Sequence, residues 1–170
     1  MPKNTNILLI RHGEKPSDQN DTRLNLAGQA RAMAYIVYFQ NFKIKSQVIK
    51  LDYLFATAQS AHSNRPYLTL HPLAQQLNLA INNQFENTDE DVATLTNLIQ
   101  TDPKYNNANI LICWHHQKLI EMASALGATE HSLPINWHEE AFGWLIQLSY
   151  DANGKLTQAA TVEEKLMYND

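Results

Sequence analysis

Asn6-Ile7-Leu8-Leu9-Ile10-Arg11-His12-Gly13-Glu14 is an uninterrupted apolar run that breaks into a cation, an imidazole and a glycine. An apolar run without alternation reads as a short strand buried on both faces, as in a parallel sheet covered by helices on each side. Ile110-Leu111-Ile112-Cys113-Trp114 reads the same way and ends at His115. Two central strands therefore each deliver a histidine at the carboxyl end, where ligand sites form in open α/β sheets.

The segments around these strands supply the helices. Glu14 to Arg23 is polar and contains Pro16, so it reads as a loop. Asn25 suits the N-cap of a helix running to about Phe42, with Ala32, Tyr35, Ile36 and Phe39 at helical spacing. Leu51 to Ala56 is a further short strand. Ser63 or Asn64 can cap the next helix, with Pro66 tolerated in its first turn. An interruption is expected near Pro72, followed by resumption through Leu73 to Leu77. Val92, Leu95, Leu98 and Ile99 share a helical face that ends before Pro103, and Lys118 to Leu126 form a helix stopped by Gly127. Phe142 to Tyr150 is a strand. A turn at Ala152-Asn153-Gly154 leads to an edge strand over Leu156 to Val162. This order predicts an α/β fold: a three-layer sandwich with a mainly parallel central sheet.

A chain of 170 residues suits one domain, 1–170, and no repeat or linker divides it. The net charge of −4, with no Lys/Arg cluster, argues against nucleic acid as a partner. Cys113 is the single cysteine, which rules out an internal disulfide and fits a reducing cytosol. Ile7 to Ile10 is too short for a signal segment, and no window reaches the length of a membrane span. The expectation is a soluble cytoplasmic protein with no membrane partner.

Arg11 and Arg65 are the candidate oxyanion ligands. A guanidinium fork meets two phosphoryl oxygens at once and stays charged at any working pH. Arg65 also opens a helix, where backbone N–H groups and the positive dipole end favour an anion. His62, His71, His131 and His138 show no metal-ligand spacing. Trp137, Phe142 and Trp144 read as core or pocket wall. Glu139 and Glu140 lie in the same late segment, with no pattern that ties them to the site.

Together these blocks resemble the histidine phosphatase (phosphoglycerate mutase-like) superfamily. Arg11-His12-Gly13-Glu14 is similar to its Arg-His-Gly-Glu signature. Leu24-Asn25-Leu26-Ala27-Gly28 resembles its Leu-Thr-x-x-Gly helix start, with Asn in the place of Thr. Phe55-Ala56-Thr57 to Ser60, with Arg65 and Thr69, resembles the second block, and Cys113-Trp114-His115-His116 the late histidine block. The blocks occur in the family's order over roughly residues 5 to 125.

The resemblance implies a phosphoglycerate mutase-like fold, with His12 as the nucleophile that becomes phosphohistidine and Arg11, Arg65 and His115 as phosphate ligands. A neutral imidazole is a usable nucleophile, and a covalent intermediate splits displacement from hydrolysis. Fixed cationic donors then stabilise the equatorial oxygens, so no metal and no cofactor are expected. The family's general acid follows the second block, where Glu86, Asp89, Glu90 and Asp91 stand here. Glu86 is the favoured candidate, because Phe85 can anchor its loop. The acidic group also suits an ordinary helix start. The family more often has a small residue where His116 stands.

The implied activity is hydrolysis of a phosphomonoester or phosphohistidine, with a phosphorylated small molecule or phosphoprotein as partner. The alternatives are a phosphoglycerate-type mutase and a catalytically weak phosphate-binding or interaction module. The sequence sets neither the substrate nor the oligomeric state.

Overall fold

The computed structural model describes residues 1–168 and 170. The long strands are β1 (Asn6–Arg11), β4 (Tyr53–Ala56), β6 (Asn109–Trp114), β7 (Trp144–Tyr150) and β8 (Leu156–Glu163). Three two-residue strands accompany them: β2 (Lys43–Ile44), β3 (Gln47–Val48) and β5 (Ile81–Asn82). The helices are α1 (Leu26–Gln40), α2 (Arg65–Leu77), α3 (Asp89–Thr101) and α4 (His116–Ala125).

The main sheet has the order β5-β4-β6-β1-β7-β8. β5, β4, β6 and β1 run parallel, while β7 and β8 are antiparallel additions. Ile7 and Leu9 of β1 point into a core with Val92, Leu95 and Ile99 of α3 and Leu119 and Met122 of α4. Leu8 and Ile10 point the other way, against Tyr35 and Phe39 of α1 and Leu70 and Leu73 of α2. All four β1 side chains are fully buried, which explains the unalternating run. Each such side chain contributes roughly 1.5–3 kcal/mol on leaving water. The expected α/β three-layer sandwich is therefore present.

Two local expectations need adjustment. α2 is continuous through Pro72, with no interruption. Pro72 cannot donate to the Leu68 carbonyl, but both residues lie half-buried on the solvent side of the helix. Leu70, Leu73 and Ala74 on the opposite side hold the helix to the core. α4 begins at His116, two residues before Lys118, so His115 is its N-cap.

Candidate active site

The site is built at the carboxyl ends of three neighbouring parallel strands. β4 leads into Thr57, β6 into His115, and β1 ends at Arg11 beside His12. Arg11 is in register with Trp114, and the His12 N–H donates to the Trp114 carbonyl at 3.1 Å, so the ladder continues one residue into the site. Buried strands on either side thus fix where both histidines emerge. Their rings meet edge to face with centroids 5.1 Å apart.

His12 is 4% exposed, and its Nδ1 lies 2.8 Å from the Gly13 carbonyl. A carbonyl only accepts, so Nδ1 carries the proton and the neutral ring keeps its lone pair on Nε2. Burial holds this imidazole neutral well below the usual histidine range, and His115, Arg11 and Arg65 add to the effect against the Gly13 hydrogen bond. His115 is pushed down to about 4, mainly by burial and then by Arg65, His116 and Arg11. A nucleophile is competent above its own pKa. If His12 serves as nucleophile, the acid limb of kcat/KM is therefore expected below pH ~6.5, once the substrate's second ionisation near ~6 is corrected for. A limb at the ordinary histidine value would contradict this environment.

The two arginines are restrained differently. Arg11 is 1% exposed and lies 3.8 Å above the Phe142 ring. Its Nη1 donates to the Glu139 carbonyl and, at 3.4 Å, to that of Ala141. Burial lowers its pKa to about 10, against the opposing fields of Glu140, Glu139 and Glu14, so it stays charged at neutral pH. Arg65 Nη1 donates to the Asp21 carbonyl at 2.9 Å and Nη2 to that of His62 at 3.5 Å. In both residues Nε is buried with no hydrogen-bond partner. Thr57 Oγ1, Trp114 Nε1 and His116 Nδ1 are likewise unpartnered.

Contacts from α1 and α2 hold the loop that follows His12. The Gly13 N–H donates to Thr69 Oγ1 at 2.9 Å, and the Thr69 hydroxyl donates to the Arg65 carbonyl at 2.8 Å. Asn25 caps α1 by accepting from the Gly28 N–H at 2.9 Å, while its own N–H donates to the Glu14 carbonyl at 3.0 Å. A Cβ on Gly28 would lie 2.5 Å from that Glu14 carbonyl oxygen, so only glycine lets α1 approach this closely.

The structure brings Arg11, His12, Arg65 and His115 within one another's electrostatic reach. Glu86 does not join them by any hydrogen bond or ion pair of its carboxylate among the described residues. It is exposed, and its backbone N–H donates to Asp91 Oδ2 at 2.6 Å. Phe85 does anchor the loop: it is 6% exposed, and its carbonyl accepts from the Ala58 N–H at 2.6 Å. Asp89, Glu90 and Asp91 form the first turn of α3, with Asp89 paired to Lys118. Trp137 is buried in the core beside Trp144, with ring centroids 5.8 Å apart, and its Nε1–H donates to the Ala141 carbonyl at 2.8 Å.

Sequence reasoning missed Arg31. It is 1% exposed inside α1, with Nη2 2.7 Å from Glu14 Oε1, Nη1 3.4 Å from Glu164 Oε2, and a further pair to Asp170. Tyr35 donates its hydroxyl to Glu164 at 2.9 Å. A signal existed: Arg31 is the lone charge in Leu26–Gln40, and it falls on the face of Ala32 and Tyr35.

Neither a protein-family model nor a curated protein matches the chain. Solved structures do. The protein histidine phosphatase SixA in complex with tungstate superposes with TM-score 0.61 at 16% identity, covering 94% of this chain and 97% of that one. The chain has the histidine phosphatase fold. An ecdysone phosphate phosphatase from Bombix mori, also with tungstate, shares it with TM-score 0.56 at 13% identity, over 90% of this chain and 92% of that one. A phosphoglycerate mutase from Plasmodium falciparum gives TM-score 0.54 at 13% identity, over 94% and 87%. The histidine phosphatase fold accounts for the layered α/β arrangement around the sheet β5-β4-β6-β1-β7-β8. Among the described residues no group of three or more His, Cys, Asp or Glu stands together as metal ligands, and no helix is long and apolar enough to cross a membrane.

Proposed function

We propose that this chain is a phosphohydrolase acting on phosphomonoesters or phosphohistidine through a phosphohistidine intermediate on His12. The observation that carries the reading is a pair of buried Nε–H donors, on Arg11 and Arg65, that meet no protein acceptor beside an imidazole with a free Nε2 lone pair. A buried donor without a partner costs roughly 1–3 kcal/mol, and a phosphoryl oxygen satisfies it with the stronger, charge-assisted kind of bond. Two structures of the same fold hold tungstate, another multiply charged oxyanion.

In the first step Nε2 forms a bond to phosphorus while the P–O bond to the leaving group breaks. The electron pair departs on that oxygen, or on the imidazole nitrogen when the broken bond is the P–N bond of phosphohistidine, and the leaving atom takes up a proton from Glu86 or from water. In the second step water attacks phosphorus, the P–N bond breaks, and its electron pair returns to Nε2. Arg11, Arg65 and His115 hold the equatorial oxygens during both transfers. The arginines carry the charge that a metal would otherwise supply, and the reaction needs no cofactor.

One observation favours the weaker reading, a phosphate-binding module. The Glu86 carboxylate bonds to none of the site residues, so a ready proton donor for the leaving oxygen is not evident among them. The test is phosphate release from a panel of alkyl phosphates, aryl phosphates and a phosphohistidine peptide, without added metal, for the wild type and Glu86→Gln. Release from at least one class is expected. If Glu86 is the acid, Glu86→Gln slows alkyl phosphates by ~10²–10⁴ and spares aryl phosphates, whose leaving group needs no proton. If the two proteins behave alike, good leaving groups become the preferred substrates and phosphohistidine leads. Oxyanion binding with no turnover of any class overturns the phosphohydrolase reading, and transfer only to a second bound phosphate acceptor identifies a mutase.

A further inference from the structure

Among the described residues, five buried side-chain polar atoms have no hydrogen-bond partner: Arg11 Nε, Thr57 Oγ1, Arg65 Nε, Trp114 Nε1 and His116 Nδ1. All five gather at one edge of the sheet. Arg11 and Trp114 end β1 and β6, Thr57 follows β4, and Arg65 and His116 open α2 and α4. Buried polar groups are normally paired, so a cluster of unpaired ones marks a place where a ligand is received. A phosphoryl group on Arg11 and Arg65 answers two of the five and leaves three.

These three differ in what can reach them. Trp114 is fully buried in the core under α3 and α4, and Thr57 is buried as well. His116 is half-buried: its Nδ1 is closed off from bulk water, while the residue keeps some exposed surface. Of the three it is the one that a ligand can meet without opening the core. Charge ties the ring to the phosphate ligands. It lies within electrostatic reach of Arg11, Lys15 and Glu139, and His115 feels it in turn. Lys15 and Glu139 pair at 3.5 Å with much of both side chains exposed. The ring thus neighbours the buried phosphate ligands on one hand and a solvent-facing ion pair on the other. Burial, with Arg11 and Lys15, favours its neutral form against the field of Glu139. A neutral imidazole carries one N–H and one lone pair, and it places the N–H wherever an acceptor stands. Arg11 Nε can only donate, so whatever satisfies it brings an acceptor into this neighbourhood.

We propose that His116 is a further ligand of the bound phosphoryl group, its Nδ1–H donating to a phosphoryl oxygen alongside the Arg11 Nε–H. The inference rests on the phosphoryl site proposed above and adds a residue to it. The phosphoryl oxygens carry several lone pairs, enough to accept from Arg11, Arg65, His115 and His116 together. A contact to these oxygens is present in the bound substrate and in the transition state alike. It therefore acts as uniform binding: its loss raises KM, by the same factor whatever the leaving group.

Calorimetric titration of inorganic phosphate into the full chain tests this without any need for turnover. His116→Ala is expected to weaken phosphate binding about 10–100-fold, the worth of a hydrogen bond to a charged group. An asparagine amide overlays Nδ1 of a histidine, and a glutamine amide overlays Nε2. His116→Asn should therefore bind phosphate within about threefold of the wild type, while His116→Gln should resemble His116→Ala. In nitrogen-15 spectra the ring resonances that His116→Ala removes should shift on saturation with phosphate, Nδ1 more than Nε2. For aryl and alkyl phosphates kcat/KM should fall by one common factor in His116→Ala. Wild-type affinity in His116→Ala overturns the inference, and so does a wild type that binds no phosphate. Equal binding by the Asn and Gln variants overturns the contact through Nδ1. A loss confined to alkyl phosphates puts His116 at the leaving atom and overturns the phosphoryl contact. Phosphate binding that follows the Asn and Gln pattern, with no turnover of any substrate, supports this contact while overturning the phosphohydrolase reading.

Discussion

His12→Ala is expected to lower turnover at least about a thousandfold, with the fold intact. The side chain sits at the end of a fully buried strand but contributes little to the core, since its polar contact is a local one to Gly13. Removing it takes away the Nε2 lone pair while leaving Arg11, Arg65 and His115 in place to bind an oxyanion. Substrate affinity should therefore fall much less than kcat. Acid-labile phosphate should be trapped on the wild type during a single turnover and be absent from the variant. Comparable kcat in His12→Ala would remove the covalent route, and a labile phosphoenzyme in that variant would move the nucleophile elsewhere.

The largest expected loss of stability is at Arg31→Met, about 3–5 kcal/mol. A typical domain has only ~5–15 kcal/mol in hand, so this is a large share of the whole. The side chain is 1% exposed and answers the carboxylates of Glu14 and Asp170 and the carboxyl group of Glu164. A thioether fills the volume but leaves Glu14 and Asp170 facing each other without a counter-charge. Glu164 behaves differently. Burial pushes its carboxyl up to about 8, against the hydrogen bond from Tyr35 and the field of Arg31, so near neutrality the protonated form dominates. Glu164→Gln keeps that neutral shape and should cost far less. Urea unfolding of both variants decides the matter. A loss below about 1 kcal/mol in Arg31→Met, or equal losses in the two, would show that the network is not held by Arg31. Because Glu14 is two residues beyond His12, Arg31→Met should also loosen the nucleophile loop and reduce activity at temperatures below unfolding.

Some of this molecule is written locally. Ile7 to Ile10 and Ile110 to Trp114 betray their position because burial on both faces leaves no room for polar alternation, and His12 and His115 then follow from strand ends in a parallel sheet. The Asn25 cap is equally local, since its acceptor oxygen and the Gly28 N–H are three residues apart. Other elements left no trace. β2 and β3 turn through Lys45 and Ser46 at φ 49 and 67, residues that seldom mark a hairpin, and β5 is too short for a pattern. Continuity through Pro72 was decided by the apolar residues that hold α2 to the sheet on its other side.

The candidate site divides along the same line. Arg11, His12, Arg65 and His115 were nameable because each belongs to a strand end or helix start with its own sequence pattern. Their restraint was not. The Glu139 and Ala141 carbonyls that hold Arg11 are backbone atoms more than a hundred residues away, and any residue type supplies a carbonyl. Arg31 could be seen as a charge on an apolar face, but its partners Glu14, Glu164 and Asp170 lie up to 139 residues away along the chain. Periodicity reports which side of an element leaves water. Which distant groups then meet there depends on how the layers pack, and ion pairing at that distance carries no period for a sequence to show.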